Sequence, residues 1–142
     1  MGKYDYIYDM FKEIVLLNYK INYQELIDIN LYPGQPIILE RIFENNGITQ
    51  SELSNITLKK PATITTMLNR LEHMGYVVRK NDINDKRLAR LYLTNIGMEK
   101  YHQMMKLKKK MGNIIFEGMS EDDLSVVYRL MLKIKNNLEK MK

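Results

Sequence analysis

Between Gly47 and Gly97 the order of residue types leaves few folds open. Thr49-Gln-Ser-Glu52 is a capping box, in which hydroxyl and carboxylate each satisfy a free backbone N–H at a helix start. A second short helix follows at Pro61, whose missing N–H is not needed in a first turn. Ile64, Met67, Leu68, Leu71 and Met74 share one face of that helix, and Gly75 follows it. Two strands are expected next, Tyr76 to Lys80 and Leu88 to Thr94, around a tip of Asn81-Asp-Ile-Asn-Asp-Lys-Arg87. Two short helices on a tight connection, then a basic hairpin, predict a winged helix-turn-helix.

The charge distribution fits that reading. The chain has 142 residues, a net charge of +5 and a pI near 9.3. Its 45% apolar content speaks against disorder. Residues 75–95 hold five basic and two acidic side chains, which makes the hairpin the densest basic element for its length. The run Lys106, Lys108, Lys109, Lys110 reads either as a solvated helix face or as a phosphate contact.

Long amphipathic helices are expected on both sides of this module. Residues 4–29 carry Tyr4, Ile7, Tyr8, Phe11, Ile14, Val15, Ile21, Leu26 and Ile29 at helical spacing. After a turn at Leu31 to Pro36, a helix runs to about Asn45 and stops at Asn45-Asn46-Gly47. Thr94 is placed to cap the helix after the hairpin, which continues through Met98, Tyr101, Met104, Met105 and Met111 to a break at Gly118. Ser120-Glu-Asp-Asp123 opens the last helix, with acids in its first turn and Lys in its last. Its stripe is Leu124, Val127, Leu130, Met131, Ile134 and Leu138. The expected class is therefore mainly α with a small β-hairpin wing. A DNA-binding lobe spans 33–94, and helical dimerisation regions span 1–32 and 95–142. Apolar stripes at both ends need a surface to bury against, and a second copy supplies one.

The exposed face of the Pro61 helix presents Ala62, Thr63, Thr65, Thr66, Asn69 and Arg70. Small, hydroxyl, amide and guanidinium groups suit base edges and phosphates, with Thr methyls for thymine and Asn for adenine. Lys60, just before it, is counted with them as DNA-binding. Asp85 and Arg87 stand at i and i+2, so in extended chain they point to one side. The carboxylate then holds the guanidinium for a narrow minor groove, while Lys86 and Arg90 contact flanking phosphates.

Enzyme chemistry finds no support: there is no phosphate loop, no His-Glu-x-x-His and no cysteine, and His73 and His102 stand apart. No cofactor and no metal are expected. The eleven methionines fall mostly at core spacing, and the tyrosines of the first helix fit a dimer base better than an aromatic-ligand site. The polar start and the lack of a long apolar run point to a cytoplasmic protein without a membrane partner.

Over nearly its whole length the chain resembles the MarR family of transcriptional regulators. The resemblance is carried by Pro33-Gly-Gln35, Thr49-Gln-Ser-Glu-Leu53, Pro61-Ala-Thr-Ile-Thr65, Leu71-Glu-His-Met-Gly-Tyr-Val-Val-Arg79, Asn84-Asp-Lys-Arg87 and Leu93-Thr-Asn-Ile-Gly97. It implies a homodimer with two winged lobes on a pseudo-palindromic operator, acting as a repressor and released by a small aromatic or anionic effector. A branch of the family that senses oxidants through cysteine is closed to this chain. The wing tip departs from the common pattern, with Asp82-Ile-Asn84 where a proline is frequent. The resemblance also places a ligand pocket near Tyr19, Tyr23, Ile38, Arg41, Tyr101 and Met105. The alternative from another class is a winged-helix module that docks on a partner protein.

Overall fold

The computed structural model describes residues 2–141. Six helices and one hairpin follow in the order α1 (Asp5–Asp28), α2 (Gln35–Glu44), α3 (Gln50–Thr57), α4 (Pro61–His73), β1 (Val77–Asn81), β2 (Ala89–Leu93), α5 (Asn95–Ile115) and α6 (Glu121–Glu139). Residues up to Lys106 form one compact unit and those from Leu107 a second, so the division falls inside α5.

The physical reason lies in the core of the first unit. Ile38, Leu39 and Ile42 of α2, Leu53 of α3, Ile64, Leu68 and Leu71 of α4, and Leu91 of β2 are fully buried. Leu31 and Met104 join them, and Leu26, Ile29, Tyr101 and Met105 pack against the cluster. The end of α1 and the start of α5 therefore complete the hydrophobic centre of the lobe, which is not closed by residues 33–94 alone. Lys100 Nζ adds a hydrogen bond of 2.8 Å to the carbonyl of Ile29.

Local signals act where the sequence places them. Thr49 accepts from Glu52 N–H at 3.2 Å while the Glu52 carboxylate accepts from Thr49 N–H at 2.9 Å. Those bonds hold the Glu52 carboxyl below its ordinary range. Gly47 takes φ +85°, a left-handed conformation open to glycine, after α2 ends at Glu44. Its N–H donates to the carbonyl of Leu91, and Leu91 N–H returns a bond to Ile48, so the segment before α3 is laced to β2. A bridge of Thr49 with Arg90 continues this pairing. The sequence reading had no such third segment, because a three-residue edge carries no periodicity of its own.

The strands are one residue off the expected bounds at several ends and pair antiparallel with Val77 opposite Leu93 and Asn81 opposite Ala89. Thr94 caps α5 as expected, accepting from Gly97 N–H at 3.0 Å and donating to the carbonyl of Gly75. Gly97 sits so close to β1 that a Cβ there would lie 1.9 Å from the carbonyl oxygen of Tyr76.

Two elements stay apolar on the outside. None of the α1 residues is buried, and Ile7, Phe11, Ile14 and Leu17 are exposed. In the second unit, α6 likewise has no buried residue, and Leu130, Met131, Ile134 and Leu138 are open. The α6 start matches its capping box, with Ser120 and Asp123 reciprocally bonded. Its last turn does not carry the expected lysine: the helix stops at Glu139, which pairs with Lys135 one turn back at 2.6 Å, and Lys140 falls at the cap.

Candidate nucleic-acid interface

The exposed face of α4 is set by what its other face buries. With Ile64, Leu68 and Leu71 in the core, Ala62, Thr63, Thr65, Thr66, Asn69 and Arg70 all stand in solvent, and Lys60 is exposed just before them. The helix thus brings the whole expected reading set to one surface. Several of its polar groups are already engaged. Thr65 Oγ1 donates to Pro61 O at 3.0 Å and accepts from Gln50 Nε2 at 2.7 Å. Thr66 Oγ1 donates to Ala62 O at 3.1 Å. These back-bonds use the hydroxyl hydrogens, so Thr65 and Thr66 offer methyls and acceptor lone pairs but no donor.

Arg79 of β1 holds three partners at once. Its Nε donates to Glu72, its Nη1 to Gln50 Oε1 at 3.0 Å and its Nη2 to Asn69 Oδ1 at 3.3 Å. One guanidinium thereby ties α3, α4 and the wing together. Sequence reasoning missed Arg79 and Gln50 as parts of the surface. Glu72 and Arg79 were visible as a complementary pair inside one motif, but their union with a side chain of α3 is a tertiary event.

The wing is built around Asp82. Its Oδ1 accepts from the N–H groups of Asn84 at 2.8 Å and Asp85 at 2.9 Å, which folds the tip without a proline. Its Oδ2 accepts from Arg90 Nε. The Arg90 guanidinium, then the two backbone N–H groups, hold the Asp82 carboxyl down at about 2. Arg90 also donates through Nη1 to Gly47 O at 2.9 Å. Two of the five Arg90 N–H donors thus go to the hairpin tip and to the segment before α3, which fixes the wing to the lobe; the side chain stays 39% exposed. Asp85 and Arg87 do meet, with Nε 3.2 Å from Oδ1. The same carboxylate oxygen accepts Arg87 N–H at 3.0 Å, and the Arg87 side chain is 91% exposed. Lys86 is exposed beside them.

The six residues expected around a ligand are less coherent. Tyr19 and Tyr23 are exposed neighbours on α1 with ring centres 6.3 Å apart. Tyr101 stacks on Phe43 at 3.9 Å, Arg41 pairs with Glu44 at 2.6 Å, and Met105 packs against the core. Ile38 is 0% exposed inside the core. An open concavity of about 530 Å³ lies elsewhere, between the turn after α1 and the end of α4, lined by Tyr32, Gln35, Asn69, Arg70, His73 and Met74. Among the described residues no group of three His, Asp or Glu side chains is placed to hold a metal ion. No helix among them is long and apolar enough to cross a membrane.

Comparison with known proteins agrees with this geometry. The model of the MarR family matches residues 31–88, which run from the core residue Leu31 to the far side of the wing tip. A MarR protein from Peptoclostridium difficile is 31% identical and superposes with a TM-score of 0.78, covering 94% of this chain and 89% of that one. FabT of Streptococcus pneumoniae, solved in complex with DNA, is 24% identical with a TM-score of 0.79 over 95% of this chain and 99% of its own. An HTH-type transcriptional regulator of Bacillus subtilis, YybA, is 24% identical over 116 residues, 82% of this chain and 77% of its own. The match to the family model, the identity to the Peptoclostridium protein and the shared winged helix lead to one conclusion: the chain belongs to the MarR family of transcriptional regulators.

Proposed function

We propose that the protein is a repressor that binds a pseudo-palindromic operator as a homodimer, with α4 in the major groove and the wing tip in the adjacent minor groove. The observation that carries this is the joint exposure of one polar helix face and the Asp85–Arg87 pair, on a lobe whose core fixes both. Direct contacts are assigned to Lys60 before α4, to Ala62, Thr63, Thr65, Thr66, Asn69 and Arg70 on it, and to Arg87, Lys86 and Arg90 on the wing, with Asp85 orienting Arg87. That FabT, of like fold, was solved in complex with DNA supports DNA as the partner. The exposed apolar faces of α1 and α6 support the dimer, since each is too large to leave in water and a second copy would cover both. Two lobes related by a twofold axis require half-sites about one helical turn apart, on the order of 10 bp. A dimer seated on promoter DNA excludes polymerase from it, which is repression.

Binding to DNA from upstream of the protein's own gene, titrated against salt, tests the reading. Phosphate contacts predict a steep linear loss of log affinity with log salt. A flat salt response, with a protein partner captured through the α4 face, would replace it with the docking-module reading. In vitro transcription from the same DNA should fall as protein is added. Release by a small aromatic or anionic effector is part of the proposal, and a panel of such acids added to the protein–DNA complex tests it.

A further inference from the structure

We infer that Arg79 is a specificity-determining positioning residue, which sets the hydrogen-bond polarity of the recognition face without touching DNA. This rests on the reading that α4 lies in the major groove. An arginine side chain has five N–H donors and no acceptor. Whatever amide atom faces it must be oxygen, so Arg79 fixes the flip of both amides it meets, Asn69 at 3.3 Å and Gln50 at 3.0 Å. Gln50 is then left with its NH2 group, and this donates to Thr65 Oγ1. Asn69 keeps two free N–H donors pointed away from the guanidinium.

The consequence is a code different from the one its residue type suggests. An unrestrained asparagine pairs with adenine by donating to N7 and accepting from the N6 amino group. Here the amide oxygen already accepts from a cation. Its remaining lone pair lies beside that guanidinium, whose partly positive N–H hydrogens oppose the approach of a second donor such as the adenine amino group. Asn69 is left as a donor, suited to the O6 and N7 of guanine or the O4 of thymine. Glu72 completes the device, since its bond to Arg79 Nε holds the fork in place from the same helix that carries Asn69. The partly buried Arg79 is a fastener between β1 and α4, and its charge is matched by Glu72 before DNA arrives.

Enrichment from a randomised duplex library tests this, using the full-length wild type, Asn69→Ala, Arg79→Met, Arg79→Lys and the double variant Asn69→Ala/Arg79→Met. The wild type should select guanine or thymine at the position that loses selectivity in Asn69→Ala. Arg79→Met should shift that position toward adenine, on the order of tenfold relative to wild type. The double variant should show no such shift, which would place the effect on Asn69. Arg79→Lys keeps the charge beside Glu72 but cannot span three acceptors, so it should shift the same way. It gives the reading if Arg79→Met does not fold by circular dichroism.

Adenine at that position in the wild type overturns the inference. So does an unchanged preference in both Arg79 variants. Uniform weakening on all sequences, with a salt slope reduced by about one, would make Arg79 a phosphate contact instead. If Asn69→Ala alters no position at all, the placement of Asn69 in the groove fails, which is a different result from failure of the Arg79 device.

Discussion

At the scale of single residues, the wing tip separates charge from geometry. Asp85 and Arg87 form an ion pair exposed enough to contribute about 0–1 kcal/mol to folding. Their value is expected at the groove. Arg87→Ala should weaken operator binding by about 1–3 kcal/mol, measured by fluorescence anisotropy at fixed salt. Asp85→Ala should weaken it too, although the change makes the protein more positive. Tighter binding by Asp85→Ala would leave the pair as an incidental surface contact. Asp82 answers to pH. Its folded carboxyl sits at about 2 against an ordinary 3.8, so its contribution is present above pH 4 and is lost as pH falls toward 2. Thermal melts between pH 2 and 7 should show part of the acid loss of stability missing in Asp82→Asn, and that variant should melt lower than wild type at pH 7. Equal melting at pH 7 would remove the Asp82–Arg90 pair from the account of what holds the wing.

Elements meet most closely where α5 begins. The first turn of that helix lies against the backbone of Tyr76, and Gly97 is there because no side chain fits. Gly97→Ala should cost about 1–3 kcal/mol in denaturant unfolding, the range for overpacking a tight contact. A neutral result would mean that α5 moves aside freely. Gly97 was legible beforehand only as part of the Leu93-Thr-Asn-Ile-Gly97 motif, and the same division runs through the fold. The capping boxes at Thr49 and Ser120, the Pro61 start and the Thr94 cap were readable because each is decided within a few residues. The α4 reading face was readable from period alone. What stayed hidden joins distant positions: Leu31 and Met104 in one core, Gly47 against Leu91, Arg90 bonded to Gly47 O, and Arg79 among three partners. The burial of Ile38 was hidden for a related reason, since an apolar residue at helical spacing is read alike whether it lines a cavity or fills a core.

For the molecule as a whole, α1 and α6 carry most of the unburied apolar surface. If a second copy covers it, Ile14→Glu should shift sedimentation from twice the monomer mass toward the monomer and lower operator affinity with it, whereas a variant that stays dimeric would move the interface off α1. The wild-type melting temperature should rise with protein concentration, because a partner that binds only folded chains stabilises them by mass action. A further consequence concerns synthesis. Helix α1 leaves the ribosome before α2 to α6, and its Ile7, Phe11, Ile14 and Leu17 stay exposed once those elements have folded. If a second copy covers that surface, each new chain travels to its partner with it uncovered, open to chaperones, proteases and sticking to other nascent chains. Its half-life in the cell should therefore lengthen as its own expression rises, and a sparsely expressed allele should lose protein faster than its messenger level accounts for.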